Sequence, residues 1–181
     1  SEAGRKDFMI TGIDIDEGAV KEAGNNFLRS MWSANLKAVL SPLDAFRPEG
    51  GLDLIVSNPP YYDSSLVNHD ERDRLARHVT SLSYRDLVSF AAEHLAPQGI
   101  LSLILPADQE KALLREARSY GLQLRKILRI RTVSHKPLSR VICSFSQGSH
   151  DGTAPVEEEL TLMEKGKRTQ EYVSLTKDFY L

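Results

Sequence analysis

The 181-residue sequence contains a single cysteine, Cys143, so no internal disulfide can form and nothing points to an oxidising compartment. Long apolar runs are missing too. The longest aliphatic stretch, residues 100–105, falls far short of the roughly 20 residues that a membrane-spanning helix needs. Residues 1–7 are polar and carry no apolar segment of the kind a secretory signal requires. Neither sign of charge dominates: Lys plus Arg number 23 against 25 for Asp plus Glu, a net charge of -2. That excludes coating nucleic acid or membrane through overall charge, but not through a local basic patch. The five histidines lack metal-ligand spacing, so no metal is expected. No repeat, no low-complexity segment and no Gly-x-Gly occur, although there are 11 glycines. The length suits one domain with a real core, expected in the cytoplasm, with residues 1–147 as its body and 148–181 as an extension.

What is present alternates between strand and helix patterns. Residues 8–15, 36–40 and 52–56 are short apolar runs. Asp16 is placed to cap a helix in which Val20, Ala23, Phe27, Leu28 and Met31 recur at helical spacing. Ser83 and Asp86 resemble a capping box, opening a helix with Leu87, Val88, Ala91 and Leu95 on its apolar face. Pro97-Gln98-Gly99 reads as a turn, and residues 100–105 as a strand covered on both faces. Asp108 starts another helix, which Gly121 ends. Residues 122–132 and 140–146 are expected to form an antiparallel pair, and 156–163 and 172–181 to add edge strands or wrap the core. The alternation predicts an α/β fold whose sheet is mostly parallel and ends in an antiparallel hairpin.

The strand at 52–56 runs into Ser57-Asn58-Pro59-Pro60-Tyr61. In open α/β sheets, ligands bind beyond the carboxyl ends of the strands. Two prolines remove backbone donors and fix φ, which leaves the Pro59 carbonyl as an acceptor in a stiff frame. The Asn58 side-chain oxygen is a second acceptor, and Tyr61 offers a flat face for a base. Together they can hold both hydrogens of an exocyclic amino group and aim its nitrogen at an electrophile, so that positioning does most of the catalysis. The plain alternative is a proline-rich turn that closes a strand. Two carboxylates strengthen the chemical reading. Asp14 ends the first strand, where an acidic residue suits ribose hydroxyls, and Asp44 follows the second, where it can accept from an adenine amino group.

Gly12-Ile13-Asp14-Ile15-Asp16, then Asp44, then Asn58-Pro59-Pro60-Tyr61 resembles the class I S-adenosylmethionine-dependent amino-methyltransferases, and more narrowly the bacterial tRNA(Val) adenine-N6 methyltransferases. The narrower likeness rests on Tyr61-Tyr62 within the turn, Ala76-Arg77-His78 with Leu82, Arg140-Val141-Ile142, and the closing Leu175-Thr176 to Phe179-Tyr180-Leu181. It implies a Rossmann-like sheet and S-adenosylmethionine as cofactor. Asp14, with Ile15 beside it, would hold the cofactor ribose; Asp44 with Ala45 would face its adenine; Asn58, Pro59, Pro60 and Tyr61 would handle the target base. The family's first strand and glycine-rich loop have no counterpart, since Asp14 lies too near the start for them to precede it. A gap between strands 8–15 and 52–56 would leave two apolar edges open. A preceding segment or a complementing polypeptide is therefore expected to fill it.

Between Lys111 and Arg140 nine basic residues face one acidic residue, a net +8 that leaves -10 for the rest of the chain. Arg125, Arg129 and Arg131, expected on one strand face, and Arg140 are candidate contacts for RNA phosphates. A charge-protected edge strand explains them equally well. Arg77 and His78 lie in a charged segment that reads either as a loop over the substrate or as a helix laced with ion pairs. The leading expectation is N6 methylation of an adenosine in tRNA. The alternatives are a protein glutamine or DNA adenine methyltransferase using the same turn, and a silent fragment that binds RNA or a partner.

Overall fold

The computed structural model describes residues 8–59, 82–148 and 152–179, and the chain divides into two units, Ser1–Pro48 and Glu49–Leu181. In the first, β1 (Ile10–Asp14), α1 (Glu17–Arg29) and β2 (Leu36–Leu40) form a β-α-β unit. The strands pair in parallel, from Ile10 opposite Leu36 to Asp14 opposite Leu40. Asp16 caps α1 as expected: its Oδ1 accepts from the Ala19 amide at 2.6 Å. Glu17 in the first turn and Arg29 in the last complement the helix dipole. None of the described residues of this unit is buried, and Leu28 and Met31 are 77% and 72% exposed. Two strands and one helix enclose too little apolar surface to exclude water by themselves.

The second unit runs β3 (Leu52–Ser57), α2 (Tyr84–His94), β4 (Leu95–Pro106), a 3-10 turn (Ala107–Gln109), α3 (Glu110–Ser119), β5 (Leu122–Val133), β6 (Leu138–Gln147), β7 (Val156–Glu164), β8 (Lys167–Arg168) and α4 (Gln170–Thr176). Its strands are ordered β3-β4-β6-β5-β7-β8. The β3–β4 and β5–β7 pairs are parallel; β6 lies antiparallel between β4 and β5, and is one arm of the expected hairpin.

Strict alternation builds the core on one face of this sheet. Leu101, Leu103 and Leu105 of β4 stand opposite Phe145, Cys143 and Val141 of β6, and all six are essentially inaccessible. Ile127 of β5 continues the row, while Leu87, Val88 and Ala91 of α2 and Leu113 and Ala117 of α3 are buried with it. Burial pushes the Cys143 thiol up to about 12, so it packs as a small apolar group and not as a nucleophile. The other face is less covered: Leu54 and Val56 of β3 are 60% and 69% exposed, with Ile100 beside Leu54 at 40%. The capping box of α2 is complete, with the Ser83 Oγ accepting from the Asp86 amide at 3.2 Å and Asp86 Oδ2 accepting from the Ser83 amide at 3.0 Å.

Two expectations need correction. Pro97-Gln98-Gly99 is no separate turn; it lies inside β4, where the register against β3 jumps from Leu52–Leu95 to Leu54–Ile100. The turn residues mark a bulge, which lets the chain bend without leaving the sheet. Of 172–181, for which an edge strand or a wrap over the core was expected, residues 172–176 lie in a helix and not in a strand. Lys165 and Gly166, both at positive φ, close the β7–β8 hairpin, and Thr169 then caps α4 by accepting from the Tyr172 amide at 3.3 Å.

At the bulge Gly99 passes so close to β3 that an added Cβ would stand 2.4 Å from the Leu52 carbonyl oxygen and 2.9 Å from Leu95 Cδ2. Gly99→Ala is expected to lower unfolding stability by about 2 kcal/mol, because backbone must move to admit the methyl group. A urea midpoint equal to that of wild type would refute this.

Candidate functional site

The candidate residues sit where strands end. In the first unit β1 and β2 are parallel, so both finish on the same side, tied by the Ser41 amide donating to the Asp14 carbonyl at 2.9 Å. Asp14 is the last residue of β1 and is exposed; its Oδ1 accepts from the Asp16 amide at 2.9 Å, which turns the chain sharply toward α1. Ile15 follows it, 57% exposed. Asp44 and Ala45 lie in the turn after β2, held by the Ala45 amide on the Pro42 carbonyl at 3.2 Å. The fold thus brings Asp14, Ile15, Asp44 and Ala45 to one end of one two-stranded sheet.

In the second unit, β3 ends at Ser57, opposite Leu103 of the parallel strand β4. Asn58 follows and is exposed, whereas the Pro59 ring behind it is among the fully buried side chains. This division of labour suits a rigid acceptor. The buried ring anchors the backbone with φ already fixed, next to the exposed Asn58. Pro60, Tyr61, Arg77 and His78 lie outside the described residues. Among the described residues no group of three or more His, Cys, Asp and Glu side chains is arranged to hold a metal ion.

The basic strand has its own partners. Register shifts at Leu124/Lys126 and Ile130/Arg131 interrupt its alternation, so the three arginines do not simply form one row. Arg125 donates to Ser146 Oγ at 2.7 Å. Arg129 makes a two-pronged pair with Glu110 of α3 (2.8 and 3.2 Å) and a third bond to Glu157 of β7 at 2.6 Å. The two carboxylates bonding its guanidinium push its pKa up still further, and desolvation only partly opposes them. Lys126 meets Glu158 at 2.8 Å, and Arg131 meets Glu159 at 3.4 Å while also donating to the Lys136 carbonyl. Arg140 donates to the Ser139 carbonyl at 3.0 Å. The sequence signal for this arrangement was the acidic triplet Glu157-Glu158-Glu159, which parallel pairing sets alongside the basic strand.

Known proteins place this architecture. A model for the RMKL-like methyltransferase domain matches residues 1–131. The relative named "tRNA1(Val) (adenine(37)-N6)-methyltransferase" from Phocaeicola vulgatus is 36% identical over 180 residues, spanning 99% of this chain and 76% of its own length. Among solved structures, a predicted O-methyltransferase from Agrobacterium tumefaciens superposes with a TM-score of 0.64 at 16% identity, covering 92% of this chain and 76% of its own. The glycopeptide N-methyltransferase MtfA, complexed with S-adenosyl-L-methionine, superposes with a TM-score of 0.53 at 13% identity, covering 77% and 72%. The fold is that of a methyltransferase domain. More narrowly, the chain belongs to the family of the tRNA1(Val) adenine-N6 methyltransferases.

The Glu110–Arg129–Glu157 cluster predicts a structural role that can be separated from RNA binding. The Arg129 side chain is 23% exposed and that of Glu110 is 18%. Arg129→Met should cost about 2 kcal/mol of stability, since it strands a half-buried carboxylate. The salt dependence of tRNA binding should stay unchanged. A variant as stable as wild type, with a shallower salt dependence, would assign Arg129 to phosphate instead.

Proposed function

We propose that this chain uses S-adenosylmethionine to methylate the exocyclic N6 amino group of an adenosine in tRNA, in the cytoplasm. The observation that carries the reading is the tip of β3, an exposed Asn58 on a buried Pro59, in a member of this family. An amino group is planar and weakly basic because its lone pair is shared with the ring. Two acceptors, Asn58 Oδ1 and the Pro59 carbonyl, engage its two hydrogens, hold it in one orientation and favour the developing positive charge on nitrogen. No residue need remove a proton beforehand. Tyr61 would stack on the base and Pro60 would extend the rigid frame. Asp14 and Asp44 suit the cofactor, whose ribose hydroxyls and adenine amino group are donors matched to carboxylates; the bound cofactor supplies an electrophilic methyl group on sulfur.

Radiolabel transfer to total tRNA, DNA and release factors tests the substrate class. Label in tRNA, recovered as N6-methyladenosine, is the expected outcome; label only in protein or only in DNA would overturn it. Asn58→Ala should lower kcat by about 100-fold or more, as expected for a lost transition-state hydrogen bond. Cofactor affinity should fall less than tenfold. Turnover that survived the change would remove Asn58 from the mechanism.

We further infer that an apolar segment from outside the described residues pairs with the outer edge of β3. Among the described residues β3 pairs only with β4, and its Leu54 and Val56 are exposed, a combination that invites further pairing. Among the described residues of the first unit none is buried, and β1 pairs only with β2. Hydrogen exchange on the protein purified from its own cells should find every non-proline amide of β3 protected. Rapid exchange at alternate positions would mean that the edge is open.

A further inference from the structure

The basic residues of this chain fall into two populations. Those of β5 are engaged, with Lys126, Arg129 and Arg131 all meeting glutamates of β7. Those of α3 are not. Lys111, Arg115 and Arg118 are exposed and form no ion pair with any described residue. Their spacing of four and then three residues sets them on one stripe about 10 Å long on the helix surface. The apolar side of α3, with Leu113 and Ala117, is buried, so the stripe faces water. Between α2 and α3 runs a groove lined by Arg85, Tyr84 and Arg115, with Glu116 its one acidic wall residue. Arg85 is positioned there by donating its Nε–H to the Tyr120 hydroxyl at 3.0 Å.

We propose that the α3 stripe, extended by Arg85, is the surface along which the RNA substrate lays its phosphate backbone; this rests on the tRNA reading above. Charge complementarity selects the occupant. Three unpaired cations within two helical turns, in a chain with more acidic than basic residues, form a local field that a polyanion answers. Topology supplies the second reason. The 3-10 turn that leads into α3 follows the carboxyl end of β4, and β3, parallel to β4, ends at the same side of the sheet with Asn58. Lys111, in the first turn of α3, is therefore nearest the target base, and Arg115 and Arg118 continue away from it. A base held at Asn58 and a backbone running down α3 make one continuous binding path. The stripe positions RNA without reading its sequence.

The test compares the full chain with the triple variant Lys111→Gln, Arg115→Gln, Arg118→Gln and with the control Lys126→Gln, whose lysine is already paired with Glu158. Gln keeps helix propensity, and equal melting curves check folding. Binding of unmodified tRNA is measured from 0.05 to 1 M salt. Loss of three phosphate contacts should reduce the slope of log K against log salt by about 2, or about 100-fold in affinity between 1 M and 0.1 M salt, and the control should not change. At saturating tRNA, kcat should match wild type. A triple variant indistinguishable from wild type overturns the surface assignment, as does wild-type binding that lacks salt dependence. Mass spectrometry of the tRNA reads the other claim separately. If the slope falls as stated but no N6-methyladenosine forms with wild type, the surface stands and the methylation reading fails.

Discussion

A water-free apolar layer between one face of the six-stranded sheet and helices α2 and α3 supports everything else in the second unit. It is made by alternation alone. Every second residue of β4 and β6 turns toward the helices, and the register between the strands sets leucine against phenylalanine, cysteine and valine. Because the side chains of this layer are inaccessible and alternate strictly along the strands, the strands cannot shift by a residue without turning polar groups into it. β3 takes its position from β4, and the tip after β3 takes its own from both. A catalytic group at such a tip needs a rigid base more than it needs neighbours.

The same constraint explains how charge is distributed. α3 must give its apolar side to the layer, which obliges its basic residues to face water. β5 contributes Ile127 to the layer and lies beside β7, so its cations stay within reach of glutamates on the neighbouring strand. Identical residue types therefore do different things. On β5 they help fix how two parallel strands align, with Arg129 also joining the sheet to α3. On α3 they form an open field.

Much of this could be read before any coordinates. The β-α-β start, the Asp16 cap, the capping box at Ser83, the hairpin of β5 and β6 and the buried Cys143 all follow from local chemistry and periodicity. So did the position of Asn58 beyond a strand end, because a proline pair after an apolar run can hardly lie inside a sheet. What could not be read was pairing between segments distant in sequence. The charge run of β5 read equally well as a phosphate-binding face or a charge-protected edge, because nothing local to it reveals Glu157, Glu158 and Glu159, about 30 residues later, as its neighbours. The Pro97-Gln98-Gly99 signal was real, but whether such a bend becomes a turn or a bulge depends on the register of β3, which is a tertiary matter. Whether the last segment would join the sheet or wrap the core could not be read either, since its cap, Thr169, acts only once the β7–β8 hairpin has released the chain from the sheet.

The buried ring of Pro59 has a consequence for which nucleobases the proposed tip accepts. A frame made of two oxygen lone pairs on an immovable backbone cannot turn one of them away when an unsuitable group arrives. Adenine, offering two N–H bonds, fits it. Deaminate that base to hypoxanthine and a carbonyl replaces the amine, so that oxygen confronts oxygen with no proton between them. Such a frame rejects a deaminated base by repulsion and needs no proofreading step.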